Sequence, residues 1–159
     1  VPDFKESLID SLSIIKVADP DILNHNIETV KEYFSELRPS GDYEHSLRLL
    51  KTASKMGFLT KSGLMIGFGE TIDDITSTMQ DLFDSGCSIL TVGQYLSPAK
   101  SSYEVKKYYH PDEFKEIKII GEAMGFKKVL SGPNIRSSYH AASILDERSL
   151  WDEQVQADN

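Results

Sequence analysis

Short apolar segments alternate with amphipathic helices along this chain, and this alternation limits the possible folds more than any other feature. The apolar segments lie near residues 21–26, 62–67, 89–92 and 127–131, with one or two helical patterns between successive segments. Short apolar strands joined by helical crossovers are typical of a parallel sheet that is covered on its faces. We therefore predict one α/β domain, for which 159 residues suffice. Part of a (β/α) barrel and a doubly wound sheet both fit this order.

The helices are predicted from apolar residues at helical spacing and from the signals at their ends. One helical pattern starts at Ile27, and a second starts near Asp42 after a Pro-Ser-Gly break. Thr71 is a predicted N-cap for a third helix. Pro111 is predicted to open a fourth helix, which Gly125 ends.

The charge and the apolar content restrict the classes of partner. The chain has 17 basic and 25 acidic residues, a formal net charge of −8. An acidic surface argues against sequence-independent nucleic-acid binding and against anionic membranes. No apolar run approaches the roughly 20 residues that span a bilayer, and no signal peptide is visible at the start. One cysteine permits no internal disulfide.

Polar residues and glycines follow each of the four predicted strands. These segments are Asn24-His25-Asn26, Gly67-Phe68-Gly69-Glu70, Gly93-Gln94-Tyr95 and Ser131-Gly132-Pro133. The carboxyl ends of parallel strands form the ligand-binding face of such folds. Any one of these segments is explained as an ordinary turn, but the four together predict a single polar site. Of the four histidines, His25 is the one we expect to be functional.

The glycine turn that starts at Gly67 follows a strand and precedes a helix, so its amides are predicted to face an anion or an adenine. It is not a dinucleotide fingerprint, because Ile72 occupies the place of the third glycine, and no Gly-Lys-Ser/Thr follows that would make it a P-loop. The histidines have no metal-site spacing. Cys87 lies at the opposite, amino-terminal end of a strand and is predicted to be structural.

Seven segments in the same order resemble the lipoyl synthase family of radical S-adenosylmethionine (SAM) enzymes. They are Pro2-Asp3-Phe4; Asn24 to Thr29; Arg38-Pro39 with Asp42-Tyr43; Thr60 to Met65 with Gly67 to Thr71; Gly93 to Leu96; His110 to Phe114; and Ser131-Gly132-Pro133 with Arg136 to Tyr139. The resemblance runs from Val1 to about Ala141. It implies the second half of a partial (β/α)6 TIM-type barrel with parallel strands over residues 1–142. An acidic polar tail over 143–159 finds no match.

The resemblance also implies an activity. Lipoyl synthases use SAM and two [4Fe-4S] clusters to insert two sulfur atoms into a protein-bound octanoyl group. Two cysteine trios hold the clusters, and this chain has one cysteine. We therefore expect the chain to be a fragment whose cluster cysteines precede Val1, and we expect it to be inactive by itself.

The resemblance implies roles for particular residues, none of which is assigned to catalysis. The candidates for SAM binding are Asn24, Asn26, Glu28, Arg38, Gly67, Gly69, Gln94 and Tyr95. Ser138, the second serine of Arg-Ser-Ser-Tyr, is the implied ligand of the auxiliary cluster. Arg136 is expected to hold the segment that presents Ser138.

The implied protein partners are octanoylated lipoyl-carrier domains or the glycine cleavage H protein, together with an iron–sulfur carrier protein. No nucleic acid and no membrane is expected. The implied compartment is the cytoplasm in a bacterium, or the mitochondrion or plastid in a eukaryote. Two alternatives remain from the residues alone. One is a different small α/β enzyme with an anionic or nucleotide ligand; the other is a non-catalytic small-molecule or nucleotide-binding module derived from a radical SAM barrel.

Overall fold

A computed structural model describes residues 1–99 and 102–137. The predicted boundary at 142, the acidic tail and Ser138 lie outside the described residues. After a short 3-10 turn at Lys5–Ser7, the elements follow in this order: α1 (Leu8–Val17), β1 (Leu23–Asn24), α2 (Lys31–Leu37), α3 (Tyr43–Lys55), β2 (Thr60–Ile66), α4 (Ile72–Asp84), β3 (Ile89–Gln94), α5 (Pro111–Met124) and β4 (Lys128–Gly132). None of the described helices has the length and apolar character needed to cross a membrane.

The four described strands form one parallel sheet in the order β1-β2-β3-β4. The pairing runs from Lys61 opposite Ile89 to Ile66 opposite Gln94, and then from Ile89 opposite Lys128 onward. Every strand pairs with its neighbour in sequence, without the reversal of order that a doubly wound sheet has at its switch point. The predicted α/β fold with parallel strands is confirmed, and the strand order is that of a barrel.

The helix end signals that were predicted from sequence are present. The Thr71 hydroxyl accepts a hydrogen bond from the Asp74 amide, and the Asp74 carboxylate accepts one from the Thr71 amide. Pro111 is the first residue of α5, and Gly125 ends it in the left-handed region at φ 105°. The Asp42 side chain caps α3. These ends depend on neighbours within three residues, which is why the sequence predicts them.

Two elements differ from the predictions. α2 begins at Lys31 and not at Ile27, because residues 27–30 form the connection that returns to the sheet beside β2. Ile27 and Val30 are fully buried in this connection. The helix α1 is not among the predicted elements, although Leu8 and Leu12 lie one turn apart on its buried side.

The two faces of the sheet differ in their residues. On the outer face, Leu64, Ile66, Leu90 and Val92 are at most 2 % exposed and pack with side chains of α3, α4 and α5 in the main core. The alternate positions form the inner face, which includes Lys61, Gly63, Met65, Ile89, Thr91 and Gly93. The main core therefore lies between the sheet and the helices, whereas the inner face combines polar side chains and glycines with the apolar Met65 and Ile89.

Candidate functional site

Three cavities open along the edge where the strands end, and the first two include the side chains of both Glu28 and Arg38. Their volumes are about 450, 330 and 80 Å³, and Glu28 lines all three. A larger cavity of about 780 Å³ lies elsewhere, between residues 3–10 and the start of α3, and none of the predicted site residues lines it. The predicted site residues therefore line the strand-end cavities and not this larger one.

Four predicted site residues form one continuous polar chain. The Asn24 amide nitrogen donates to Asn26 Oδ1 at 3.1 Å, and the Asn26 nitrogen donates to Glu28 Oε1 at 3.5 Å. Arg38 Nη1 lies 3.6 Å from the same Glu28 oxygen. Both ion-pair side chains are about one-third exposed, so the pair itself stabilises the fold by at most about 1 kcal/mol. The ion pair instead orients the Arg38 guanidinium and the Glu28 carboxylate side by side at the cavities.

Glu28 reaches this position through an unusual backbone. Its φ is +74°, which is costly for a residue with a side chain. Its amide donates to the Gly63 carbonyl at 2.9 Å, and its carbonyl accepts from the Met65 amide at 2.8 Å. Pairing with β2 thus resumes at Glu28 after the Asn26–Ile27 excursion. The strained Glu28 lines all three cavities. Backbone strain of this kind is most often found at functional sites in proteins.

Among the described residues, four buried side-chain polar atoms lack a hydrogen-bond partner, and three of them belong to residues that line these cavities, the fourth being Ser131 Oγ. Within the described residues, Asn24 Oδ1, Thr29 Oγ1 and His25 Nε2 have no hydrogen bond. His25 is 4 % exposed and its Nδ1 lies 3.1 Å from the Val1 carbonyl, so Nδ1 carries the proton and Nε2 is an open acceptor. Burial lowers the pKa of His25 and favours this neutral form. These three atoms therefore offer acceptors to a ligand that brings donors.

The glycine turn after β2 is held by its own carboxylate. Glu70 accepts the amide of Gly67 at 2.6 Å and that of Phe68 at 2.9 Å. The amides of this turn were predicted to face an anion or an adenine of a ligand. For Gly67 and Phe68 this prediction is wrong, because the buried Glu70 side chain accepts both amides. Gly67 and Gly69 have φ of +129° and +113°, which only glycine adopts freely.

Gln94 joins this turn to the loop that follows β3. Its amide nitrogen donates to the Lys107 carbonyl at 3.0 Å, and its oxygen accepts the Tyr109 amide at 3.0 Å. The Tyr109 hydroxyl donates to Glu70 Oε1 at 2.9 Å, and burial beside the Glu70 charge raises the pKa of Tyr109. A Cβ on Gly67 would lie 2.3 Å from Gln94 Nε2. Gln94 thus braces the edge of the site, and its predicted contact with a cofactor stays a prediction.

An aromatic wall lines the largest of the three cavities. The rings of Phe68 and Tyr95 lie 4.3 Å apart at a tilt of 32°, and Tyr103 meets Phe68 edge-on at 5.6 Å. Met65 and Arg38 also line this cavity. Tyr95 was predicted for the site, whereas Met65, Phe68 and Tyr103 were not. Met65 lies on the inner face of β2, and Phe68 lies between the two glycines of the predicted turn, so both are near residues that the sequence singled out. Tyr103 lies in the loop after β3, which carries no such signal.

The described residues contain no group of three or more histidine, cysteine or acidic side chains suited to a metal ion. Cys87 is 2 % exposed and donates to the Ile89 carbonyl at 3.3 Å. Burial raises the pKa of its thiol to about 12, so Cys87 stays protonated and unsuited to ligate iron. This agrees with its predicted structural role.

Comparisons with known proteins point to one family. The model of the Radical SAM superfamily matches residues 3–82, about half of the chain. The lipoyl synthase of Leptospira interrogans is 50% identical over 151 residues, which cover 95% of this chain and 48% of that protein.

Two further bacterial relatives agree. The lipoyl synthase of Acidithiobacillus ferrooxidans is 46% identical over 149 residues, covering 92% of this chain and 47% of the relative. That of Hydrogenovibrio crunogenus is 49% identical over 143 residues, covering 89% and 45%. This chain thus spans about half the length of the curated relatives that it matches, corresponding to their C-terminal half. The parallel sheet in barrel order, the polar strand-end site and these matches together establish that the chain belongs to the radical SAM superfamily.

Proposed function

We propose that this chain is the C-terminal part of a lipoyl synthase, which inserts two sulfur atoms into a protein-bound octanoyl group to make the lipoyl cofactor. The observation that carries the proposal is identity of about one residue in two across almost the whole chain to proteins that bear this name. The matched stretch of 151 residues spans the strand ends from which the candidate site is built.

The strand-end site fits SAM by its chemistry. Two of its buried acceptors, Asn24 Oδ1 and Thr29 Oγ1, suit the ammonium and hydroxyl donors of SAM. Arg38 suits its carboxylate, and the Phe68–Tyr95 wall suits a flat adenine. When bound, SAM supplies the 5′-deoxyadenosyl radical that removes hydrogen from the octanoyl carbons.

The residues of this chain bind and orient the cofactor in this proposal. Glu28 holds Arg38 in place from one side, and Asn26 holds Glu28 from the other. The turn at Gly67 and Gly69 brings backbone close to the aromatic wall because it lacks side chains there. The Phe68–Tyr95 wall would cover one side of the bound cofactor.

The iron–sulfur clusters do not fit the described residues, so no step through a cluster is derived from them. The family resemblance requires six cysteines, and the chain has only Cys87. Two [4Fe-4S] clusters, Ser138 as a ligand of one, and inactivity of the chain in isolation are parts of the proposal. The same holds for octanoylated lipoyl-carrier domains or H protein and an iron–sulfur carrier as partners, for the absence of nucleic-acid and membrane partners, and for a cytoplasmic, mitochondrial or plastid location.

The test uses the complete reading frame that contains this chain, reconstituted with iron and sulfide without oxygen. We expect uptake of two clusters and formation of lipoyl groups on an octanoylated carrier domain. Arg38→Ala is expected to weaken SAM binding on the order of tenfold, because a hydrogen bond to a charged group is lost. Arg48→Ala, on the exposed side of α3, is the matched control. Ser138→Ala is expected to impair turnover without weakening SAM binding.

The alternative is a non-catalytic small-molecule or nucleotide-binding module derived from a radical SAM barrel. The buried acceptors and the aromatic wall favour it equally, since they require a ligand but no iron. A reading frame that binds a nucleoside in the strand-end cavity, takes up no iron and forms no lipoyl groups would replace the first proposal by this one.

A further inference from the structure

The side chain of Arg38 lies on an aromatic ring as well as beside a carboxylate. Its guanidinium carbon is 5.8 Å from the centroid of the Phe34 ring, within the roughly 6 Å over which the face of a ring attracts a cation. Phe34 and Arg38 are four residues apart at the end of α2, so their side chains lie on the same side of the helix. Arg38 Nη1 is 3.6 Å from Glu28 Oε1, and 38 % of the Arg38 side chain is exposed. Two neighbours thus hold the guanidinium, while Arg38 still lines the two larger strand-end cavities.

The Phe34 ring is itself fixed by Tyr43. The two rings meet edge-on with their centroids 5.4 Å apart, and both residues are buried. The Tyr43 hydroxyl donates to Asp81 Oδ2 of α4 at 3.0 Å. Burial raises the pKa of Tyr43, so the hydroxyl keeps its proton and remains a donor. A line of contacts therefore runs from α4 through the two rings to Arg38.

The turn after α2 also confines the Phe34 ring. The Gly41 amide donates to the Arg38 carbonyl at 2.8 Å. A Cβ on Gly41 would lie 3.2 Å from Phe34 Cε1 and 3.3 Å from Phe34 Cζ, so the backbone of this turn lies against the ring. Phe34 therefore cannot move away from Arg38 without disturbing both Tyr43 and Gly41.

A buried apolar position does not by itself require a ring. Leucine also fills such positions, whereas a ring adds a negative face that attracts a cation. An arginine side chain forms two parallel hydrogen bonds with a carboxylate only when the plane of its guanidinium is correctly placed. The contact with Glu28 is longer than a hydrogen bond and partly exposed, so by itself it leaves this plane free to turn. The Phe34 ring supplies the second constraint.

We propose that Phe34 and Tyr43, which we call the aromatic platform, position Arg38, and that this platform gives the strand-end site its preference for ligands that carry a carboxylate. Neither ring lines the strand-end cavities, so both act through Arg38. The preference for a carboxylate rests on the proposed function, in which SAM binds here, whereas the contact of the platform with Arg38 does not. The proposal also gives a role to Tyr43, which follows Arg38 by five positions in one of the seven segments that resemble the family.

The first experiment compares two ligands of the complete, reconstituted protein. Equilibrium dialysis measures the affinities for SAM and for decarboxylated SAM, which lacks only the carboxylate. Phe34→Leu should weaken SAM binding about two- to fivefold, as expected when a cation–π contact is lost at a partly exposed site, and should leave decarboxylated SAM unchanged. Phe83→Leu, which removes the ring that Phe83 of α4 packs against Phe126, should change neither affinity. Equal weakening of both ligands by Phe34→Leu, or unchanged binding of SAM, would overturn the preference.

A double variant shows whether Phe34 acts through Arg38. In the Arg38→Ala protein, Phe34→Leu should weaken SAM binding no further, because two residues that act on one contact are not additive. Additive losses would overturn the positioning role. Tyr43→Phe keeps the ring but loses its hydrogen bond to Asp81, so it should weaken SAM binding by a smaller factor than Phe34→Leu. If Phe34→Leu does not fold, Tyr43→Phe decides, and an unchanged affinity for SAM would then overturn the platform.

Chemical modification of Arg38 tests the platform without any ligand. Phenylglyoxal reacts with arginine side chains, and peptide mapping gives the rate at each arginine. Phe34→Leu should raise the rate at Arg38 severalfold relative to the exposed Arg48, because a guanidinium that has left the ring is more accessible. An unchanged rate would overturn the platform. If the complete protein binds no SAM, the proposed function fails together with the carboxylate preference, and the rate at Arg38 alone then decides the platform.

Discussion

The outer and inner faces of the sheet differ in the kind of side chain that they bury. On the outer face, side chains such as Leu90 and Val92 are fully buried under helices and need no further partner. On the inner face, the cation of Lys61 is buried and Gly63 and Gly93 leave room for other chain segments. Their common backbone register forces the two sets to alternate residue by residue.

The outer face stabilises the fold, whereas the inner face and the strand ends form the candidate functional site. The outer face is locally consistent, since apolar pattern, helix caps and burial all favour the same structure. The inner face and the strand ends break local rules through a strained Glu28, orphaned acceptors and an ammonium without a carboxylate among the described residues. Substitutions on the two faces should therefore affect different measurements.

The largest effect is expected on the outer side of the sheet. Phe114 of α5 is fully buried in the main core, with its ring 6.1 Å from that of Tyr109. Phe114→Ala should lower the free energy of unfolding by about 3–5 kcal/mol, because it leaves a cavity. Urea unfolding of the complete protein measures this. Ile119→Ala, on the exposed side of the same helix, should change it by at most about 0.5 kcal/mol. Equal effects of the two variants would contradict the assignment of α5 to the core.

The sequence predicts the outer side of the fold well, because its signals are local. The Thr71 capping box and the Pro111 helix start involve residues within one turn of each other. The start of α2 was predicted four residues too early, because the apolar spacing of Ile27 and Val30 fits a helix equally well. Only the pairing of Glu28 with Leu64, which is distant in sequence, excludes the helix there.

The sequence predicts where the site lies, but it does not predict which groups are hydrogen-bonded to one another there. The family resemblance grouped Asn24, Glu28 and Arg38 in one site, and the structure brings these three side chains together through Asn26. Glu70 accepts amides that are only two and three residues away, a local contact that the turn pattern did not reveal. The hydrogen bond between Lys61 and the Ser137 carbonyl joins residues 76 positions apart, and it leaves no local signal. A lysine inside an apolar strand is a signal in itself, since a charged residue at a buried position requires a partner.

The second-largest effect is expected at the glycine turn after β2, where the strand ends. Glu70 accepts two backbone amides and the Tyr109 hydroxyl in a buried position. Glu70→Gln replaces one acceptor oxygen by a donor that faces donors, and should lower the unfolding free energy by roughly 2–3 kcal/mol. SAM binding should weaken as well, because the turn loses its brace. Glu116→Gln, on the exposed side of α5, is the control and should leave both unchanged. Loss of binding without loss of stability would mean that Glu70 meets the ligand directly.

The third variant perturbs the inner face alone. A Cβ on Gly63 would lie 2.9 Å from Asn26 Oδ1 and 3.2 Å from Thr91 Oγ1. Gly63→Ala should therefore displace Asn26 and weaken SAM binding severalfold, a loss of roughly 1 kcal/mol for one neutral hydrogen bond. Stability should hardly fall, since alanine is favoured over glycine within a strand by about 0.5–1 kcal/mol. Equilibrium dialysis with labelled SAM and urea unfolding measure the two quantities. Unchanged affinity would remove Asn26 from the cofactor site.

The smallest effect is a pH dependence that arises at the strand ends. Because burial lowers the pKa of His25 below its ordinary value of 6.5, the unfolded chain binds the proton more readily than the folded one. Stability from neutral His25 is thus complete above 6.5 and is lost as the pH falls through the lower pKa of the folded state. Asp3 and Arg38 act on this titration in opposite directions, and burial outweighs both. The cause is local, since a proton on Nε2 would make a buried cation without an acceptor.

The measurement compares the complete protein with its His25→Asn variant by urea unfolding between about pH 7.5 and 5.5. The difference in unfolding free energy should shift in favour of the variant as the pH falls. SAM at saturation should enlarge this shift if a donor of the ligand occupies Nε2, because a filled acceptor lowers the pKa of His25 in the folded state still further. Parallel curves for the two proteins would contradict a buried neutral His25. A shift that SAM leaves unaltered would place His25 with the outer face, as a packing residue, and would leave Asn24, Asn26 and Glu28 to bind the ligand.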